Sequence, residues 1–133
     1  MKAHKYFNSL ILEVILMIQA ESDMLKMLAK FMKTIGDANR LKIIWVIGKE
    51  ERSVSEIINE TDLSQTLVSF HLKILRESDI VETKRLGAFI YYSLGNPELI
   101  DLLSACGEYV YKNTGEIEPG FVWPFPLWFN KKS

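Results

Sequence analysis

The stretch Ser64-Gln65-Thr66-Leu67-Val68-Ser69-Phe70-His71-Leu72-Lys73-Ile74-Leu75-Arg76 decides the fold of this 133-residue chain. Apolar residues recur in it at the spacing of one helix face, which predicts a buried stripe of Leu67, Val68, Leu72 and Leu75. Short polar side chains gather at the N-terminus and on the other face: Ser64, Gln65, Thr66, Ser69 and His71. Such side chains let a helix enter the DNA major groove and read base edges. From these residues alone, a recognition helix and an ordinary amphipathic helix are equally good interpretations.

A short helix is predicted immediately before this stretch. Ser53 and Glu56 have the spacing of a capping box, so a helix over about residues 54–60 begins after Ser53. It is expected to bury three apolar residues, Val54, Ile57 and Ile58. Residues 61–63 then form a tight turn, and Ser64 caps the next helix. Two helices joined by so short a turn are typical of a helix-turn-helix.

A β-hairpin is predicted after the recognition helix. Residues 80–85 are rich in β-branched side chains, Leu86-Gly87 can turn, and residues 88–94 run back as a second strand. Lys84 and Arg85 lie near the tip of this hairpin, where cations can contact the phosphates beside the groove. The sequence therefore predicts a winged helix-turn-helix.

Residues from about 31 to 103 resemble the ArsR/SmtB family of bacterial and archaeal repressors. Three blocks carry the resemblance in the same order: IGDANRLKII at 35–44, LSQTLVSFHLKILR at 63–76 and YYSL at 91–94. Several blocks in the right order are more specific than a lone motif. The resemblance implies a homodimeric transcriptional repressor that binds a near-palindromic operator and commonly leaves DNA when an effector binds.

The remaining apolar surface predicts dimerisation. One helix is expected over about 38–47, before Gly48, and another from Asn96-Pro97 to about Lys112. Upstream, apolar residues at helical spacing run from Tyr6 to Ile35, and the polar residues 19–23 can bend or split this helix. The winged core cannot cover so much apolar surface, so the first and last helices are expected to pair across a two-fold axis. The resemblance places the dimer contact at the same helices.

We therefore expect one structural domain, mainly α-helical with a two-stranded β-hairpin wing. Residues 1–36 form an N-terminal dimerisation segment, and residues 37–95 form the winged core. Residues 96–114 form a C-terminal dimerisation helix, and residues 115–133 form a tail rich in aromatic residues and proline.

Composition restricts the class of protein. A hydrophobic content of 48% excludes a disordered chain, and the single cysteine, Cys106, allows no disulfide within one chain. No signal peptide is visible, and the apolar run at 10–18 is too short to span a membrane and contains Glu13. We expect a cytoplasmic protein without a membrane partner.

The nearly neutral net charge of the chain is the main argument against DNA binding. The net charge is −1, whereas nucleic-acid binders usually carry a basic footprint. Residues 39–94 contain eight basic and eight acidic side chains, so any attraction must come from local placement. A winged helix that binds protein rather than DNA is therefore the alternative function.

The DNA contacts are predicted from residue type and position. For bases or the groove we predict Gln65, Thr66, Ser69 and His71, while Phe70 either contacts a thymine methyl or sugar or packs on the wing. For phosphates we predict Ser64, Lys73, Lys84 and Arg85.

The resemblance also indicates what the protein does not sense. The family often binds metal through a Cys-x-Cys pair where this chain has Ser53 and Ser55, and serine hydroxyls are poor ligands for soft metals. A second family site uses aspartate, histidine and glutamate on the last helix, which here offers Glu98, Asp101 and Glu108 but no histidine. We expect no metal, no cofactor and an effector of another kind.

The C-terminal tail is the unusual part of the sequence. Residues 121–129, FVWPFPLWF, hold five aromatic side chains and two prolines that forbid a helix. Their expected role is packing in an apolar groove, and the alternative is a pocket for an apolar small molecule; the candidate residues are Cys106, Trp123, Phe125 and Trp128. Cys106 itself is expected to be a small buried apolar residue. No carboxylate pair, glycine-rich phosphate loop or nucleophile motif is present, so an enzyme is not expected.

Overall fold

A computed structural model describes residues 2–114 of the chain. The predicted tail at 115–133, with Trp123, Phe125 and Trp128, lies outside the described residues. The chain divides into two compact units at the boundary between Asp37 and Ala38.

The first unit consists of one helix, α1, which spans Lys2–Ile35 in 34 residues. The helix continues through residues 19–23, where the sequence allowed a bend. There the side-chain amide of Gln19 donates to Asp23 Oδ1 at 3.1 Å, one turn further on, so these polar residues support the helix. No helix among the described residues is long and apolar enough to cross a membrane.

The second unit contains the remaining helices and a small sheet. Its elements are α2 (Ala38–Ile47), β1 (Arg52–Ser53), α3 (Val54–Thr61), α4 (Gln65–Glu77), β2 (Val81–Leu86), β3 (Phe89–Leu94) and α5 (Leu99–Thr114). The predicted helix at 38–47 is confirmed, and it ends at Gly48, whose φ of +59° lies in the left-handed region. The last helix begins at Leu99 rather than at Asn96-Pro97, because those residues form a turn in which Asn96 Oδ1 accepts from Glu98 N at 3.0 Å.

The sheet has three antiparallel strands in the order β1-β3-β2, whereas the sequence predicted two. The predicted hairpin is confirmed: Arg85 pairs with Ile90 and Leu86 with Phe89, and Gly87 turns with a φ of +63°. Strand β1 adds Arg52 opposite Tyr92 and Ser53 opposite Tyr91. A two-residue strand is too short for alternating polarity to reveal it.

The core of the second unit lies among α2, α3, α4, the first turns of α5 and the base of the sheet. Its buried apolar residues are Ile43, Ile44, Ile47, Ile57, Val68, Leu72, Leu75, Ile80, Val81, Leu94, Ile100 and Leu103. Of the predicted α3 residues only Ile57 is fully buried, and Val54 and Ile58 are half-buried. Leu67, predicted for the α4 stripe, is 41% exposed, because it lies about 100° around the helix from Val68.

The turn between α3 and α4 is fixed by a buried hydroxyl. Thr61 Oγ1 donates to Ile57 O at 2.6 Å and accepts from Leu63 N at 3.3 Å. Asp62 adopts the left-handed conformation, with a φ of +57°. The spacing between the two helices therefore depends on Thr61.

We expect Thr61→Val to lower the free energy of unfolding by about 1–2 kcal/mol, because the isosteric side chain leaves the Leu63 amide without its acceptor. Urea denaturation measures the change. Thr83→Val, the same replacement at an exposed strand position, is the control and should change stability by about 0.5 kcal/mol or less. Equal effects from the two variants would contradict a structural role for the hydroxyl.

Candidate nucleic-acid interface

Helix α4 begins at a well-defined cap. Ser64 is the N-cap, with extended backbone (φ −65°, ψ 155°), and its Oγ accepts from Leu67 N at 3.2 Å. The preceding helix begins in the same way: Ser53 Oγ accepts from Glu56 N at 3.2 Å and Ser53 N donates to Glu56 Oε2 at 3.0 Å. Both predicted caps are thus confirmed, and they set where each helix starts. The Ser64 hydroxyl keeps its own hydrogen for a further acceptor such as a phosphate oxygen.

One exposed face of α4 carries most of the predicted DNA-contacting residues. Its members follow one another at helical spacing and are all exposed: Gln65, Thr66, Ser69, Phe70 and Lys73. Phe70 is 57% exposed, an unusual position for a large apolar side chain with a core beside it. The face combines an amide, two hydroxyls, an aromatic ring and an ammonium group. These groups suit base edges, sugars and phosphates.

His71 does not belong to this face, and the expectation that it does is wrong. Its side chain is only 5% exposed, because residue 71 falls three after Val68 and four before Leu75 on the buried stripe. Arg40 Nη1 donates to His71 Nδ1 at 3.3 Å. The imidazole also meets the edge of Phe70, with ring centroids 5.2 Å apart and planes at 73°. His71 thus supports the exposed face from beneath.

The wing carries the predicted cations near its tip. Lys84 Nζ lies 3.8 Å from Glu51 Oε1, and Arg85 is exposed with no ion pair found within residues 2–114. On α4, Lys73 Nζ lies 4.0 Å from Glu77 Oε1. Exposed pairs of this kind contribute little, so the cations can exchange their carboxylates for phosphates.

Sequence reasoning missed three features around this face. Arg40, the partner of His71, lies 31 residues away along the chain, so no local pattern connects them. Arg76 is exposed on the last turn of α4, where continuing the spacing from Lys73 would have found it. The wing tip also presents Leu86 and Phe89, which is 64% exposed.

The second predicted site, on α5, looks different in the structure. Cys106 is exposed in the single chain, because Ile100 and Leu103 take the side of the helix that is buried within the subunit. Its burial in a dimer or beside the tail stays a prediction. Lys49 Nζ donates to Asp101 Oδ1 at 3.0 Å, which forms an ion pair between these two side chains. Within residues 2–114, no group of three or more histidine, cysteine, aspartate or glutamate side chains could hold a metal ion.

The family described as "Bacterial regulatory protein, arsR family" matches residues 37–83. That range begins just before α2 and ends within β2. The chain is also 35% identical over 75 residues to the "Probable mercury resistance operon repressor" of Streptomyces lividans, which covers 56% of this chain. The match spans 60% of the length of that repressor.

Solved structures share the fold. The crystal structure of NolR from Sinorhizobium fredii is 31% identical, with a TM-score of 0.61, and the match covers 68% of this chain and 90% of that one. A homodimeric winged helix-turn-helix DNA-binding domain, Mb0332 from Mycobacterium bovis, has a TM-score of 0.63. It is 22% identical, with 76% of this chain and 94% of that chain covered, and supports the fold alone.

Proposed function

This chain belongs to the arsR family of bacterial regulatory proteins, and we propose from that premise that it represses transcription by binding a near-palindromic operator as a homodimer. Family and relatives are regulators, so the prediction that the chain is not an enzyme is confirmed. Its partners are DNA and a second copy of itself, and its proposed location is the cytoplasm, where bacterial DNA is found. Its proposed organisation is a winged core at 37–95 between dimerisation segments at 1–36 and 96–114.

The exposed polar face of α4 is the observation that supports this proposal most directly. We assign Gln65, Thr66 and Ser69 to base edges in the major groove and Phe70 to a thymine methyl or sugar. The proposed phosphate contacts are Ser64, Lys73, Lys84 and Arg85. Two such helices related by a dimer axis would meet half-sites about 34–36 Å apart.

The charge balance sets the expected salt dependence. Three cations per subunit, Lys73, Lys84 and Arg85, give six in a dimer, so log K should fall against log[salt] with a slope of about −5. The test is fluorescence anisotropy on duplex DNA from upstream of the protein's own gene, over a salt series and against a scrambled competitor. Binding that prefers the upstream duplex supports the proposal. Equal binding of both duplexes, together with capture of a protein partner, would favour a protein-binding winged helix.

Two substitutions should separate specificity from affinity. We expect Gln65→Ala to reduce the preference for operator over scrambled DNA by about tenfold, because one base contact is worth about 1–3 kcal/mol. Lys84→Ala should weaken both duplexes alike and make the salt slope shallower by about 2 per dimer. The same anisotropy assay measures both variants. If Gln65→Ala lowers operator and scrambled binding equally, Gln65 does not read bases.

We further propose that the signal for release is an apolar small molecule rather than a metal ion. Ser53, where metal-sensing relatives often have a cysteine, uses its hydroxyl to cap α3. The sequence of the tail, with Trp123, Phe125 and Trp128, supports an apolar class of ligand. Screening metals, oxidants and aromatic compounds for release of labelled operator tests this assignment. Release by Zn²⁺ or Cu⁺ alone would contradict it.

A further inference from the structure

Helix α1 carries two apolar seams, each with the spacing of a coiled-coil seam. The first seam occupies positions 7, 11, 14, 18, 21, 25, 28 and 32, and Glu21 is its one charged member. The second occupies positions 6, 10, 13, 17, 20, 24, 27 and 31, and Glu13 is its one charged member. Each alternates steps of four and three residues, the period that lets helices pack with interlocking side chains over their whole length.

Both seams are exposed in the single chain. Phe31 is half-buried, and the other large apolar members range from Ile11, which is 43% exposed, to Met17, which is 71% exposed. The second seam is the first shifted by one residue, so the two lie about 100° apart around the helix. A helix with one such seam needs one neighbouring helix to cover its apolar side chains, and a helix with two seams needs two neighbouring helices.

The third side of α1 is mainly polar, apart from Leu12, Ile15 and Leu16 in its N-terminal half, which are 54–60% exposed. All five lysines of the helix lie there: Lys2, Lys5, Lys26, Lys30 and Lys33. None of them interrupts either seam. In a four-helix bundle each helix meets two neighbours and turns its most polar side to water, and the third side has this character from Gln19 to the end of α1.

Length identifies the helix that can cover the second seam. Each seam runs over 26 residues, about 38 Å from first to last Cα at 1.5 Å per residue. Helix α5 has 16 residues, which is about 24 Å and too short to cover a seam. Another α1 matches in length and in chemistry.

We propose that α1 joins two DNA-binding dimers into a tetramer through a four-helix bundle of α1 helices. The first seam, with branched Ile11, Val14 and Ile18, pairs helices within a dimer. The second seam, rich in flexible methionines such as Met17, Met24 and Met27, joins one dimer to the next. The proposal rests on the dimer of the proposed function and adds a surface and a partner, a second dimer of this chain. Such a tetramer holds two operators at once.

The test is the oligomeric state of the full-length chain and three variants by sedimentation velocity over a concentration series. The native protein is expected at four times the chain mass. Met17→Glu, which places a carboxylate in the second seam, is expected to sediment at twice the chain mass. Leu12→Glu replaces an apolar side chain by a carboxylate on the side of α1 opposite the two seams and is expected to remain tetrameric. Glu13→Leu should lower the tetramer–dimer dissociation constant about tenfold, because it removes the one charge from that seam.

DNA binding serves as a separate readout. Met17→Glu dimers are expected to bind a single operator with native affinity, so loss of the tetramer is not confused with loss of the repressor. A native protein that stays dimeric at all concentrations would overturn the proposal. So would a Met17→Glu protein that stays tetrameric, or a native dimer whose α1 binds anionic lipid vesicles instead. If the native protein binds no operator, the proposed function is contradicted. The sedimentation experiment would still decide whether the protein is a tetramer.

Discussion

Replacement of Ser69 by glutamate is expected to weaken operator binding by at least about 100-fold. Ser69 lies in the middle of the exposed face of α4, where a larger, negatively charged side chain would meet phosphates and base acceptors. Like charges brought together across an interface cost several kcal/mol. Anisotropy titration of labelled operator measures the loss, and circular dichroism checks that the helix content is unchanged.

The control for this variant is Ser9→Glu. It makes the same chemical and charge change on the polar side of α1, which is outside the winged unit. We expect its operator affinity to remain within about threefold of native at moderate salt, because a single exposed charge outside the winged unit is largely screened. A Ser69→Glu protein with near-native affinity would show that this face of α4 does not lie against DNA.

Leu75→Ala should have the largest effect on stability. Leu75 is completely buried on the core stripe of α4, and its truncation leaves a cavity between this helix and the core. Leucine-to-alanine changes at such sites cost about 2–5 kcal/mol, which is a large share of the stability of a domain of this size. Thermal and urea unfolding measure the change.

Leu67→Ala is the matched control on the same helix. Leu67 is 41% exposed, so the same truncation should cost about 1 kcal/mol or less. Both substitutions replace leucine by alanine within α4, so they change helix propensity by the same amount. A difference between their free energies of unfolding therefore reports the difference in burial. Equal losses from the two variants would mean that α4 is rotated from the orientation described here.

Local hydrogen bonding made the helix starts predictable. Ser53 with Glu56 and Ser64 with Leu67 satisfy backbone amides within three residues, so the sequence contains the whole interaction. The hairpin was equally predictable from the sequence, since a glycine turn joins its two strands. Strand β1 could not be predicted, because Arg52 pairs with Tyr92, forty residues further along the chain, and a strand of two residues is too short to show a periodic pattern.

The exposed face of α4 was predicted less well, because the polarity of a residue and its position around the helix can disagree. His71 was assigned to the exposed face because it is polar, yet its position follows the spacing of Val68 and Leu75. Its buried ring is tolerated because Arg40 donates to it, and that arginine comes from a different helix. For His71 the angle around the helix was a better guide than residue type.

Ser53 is shared between the sheet and the helix pair. It pairs with Tyr91 in the wing, and its side chain and backbone together cap α3. The wing therefore cannot swing away from α3 without breaking either strand pairing or the cap. If the protein binds DNA as proposed, a release that keeps both of these contacts moves the two subunits relative to each other and leaves the wing and α3 of each subunit in place.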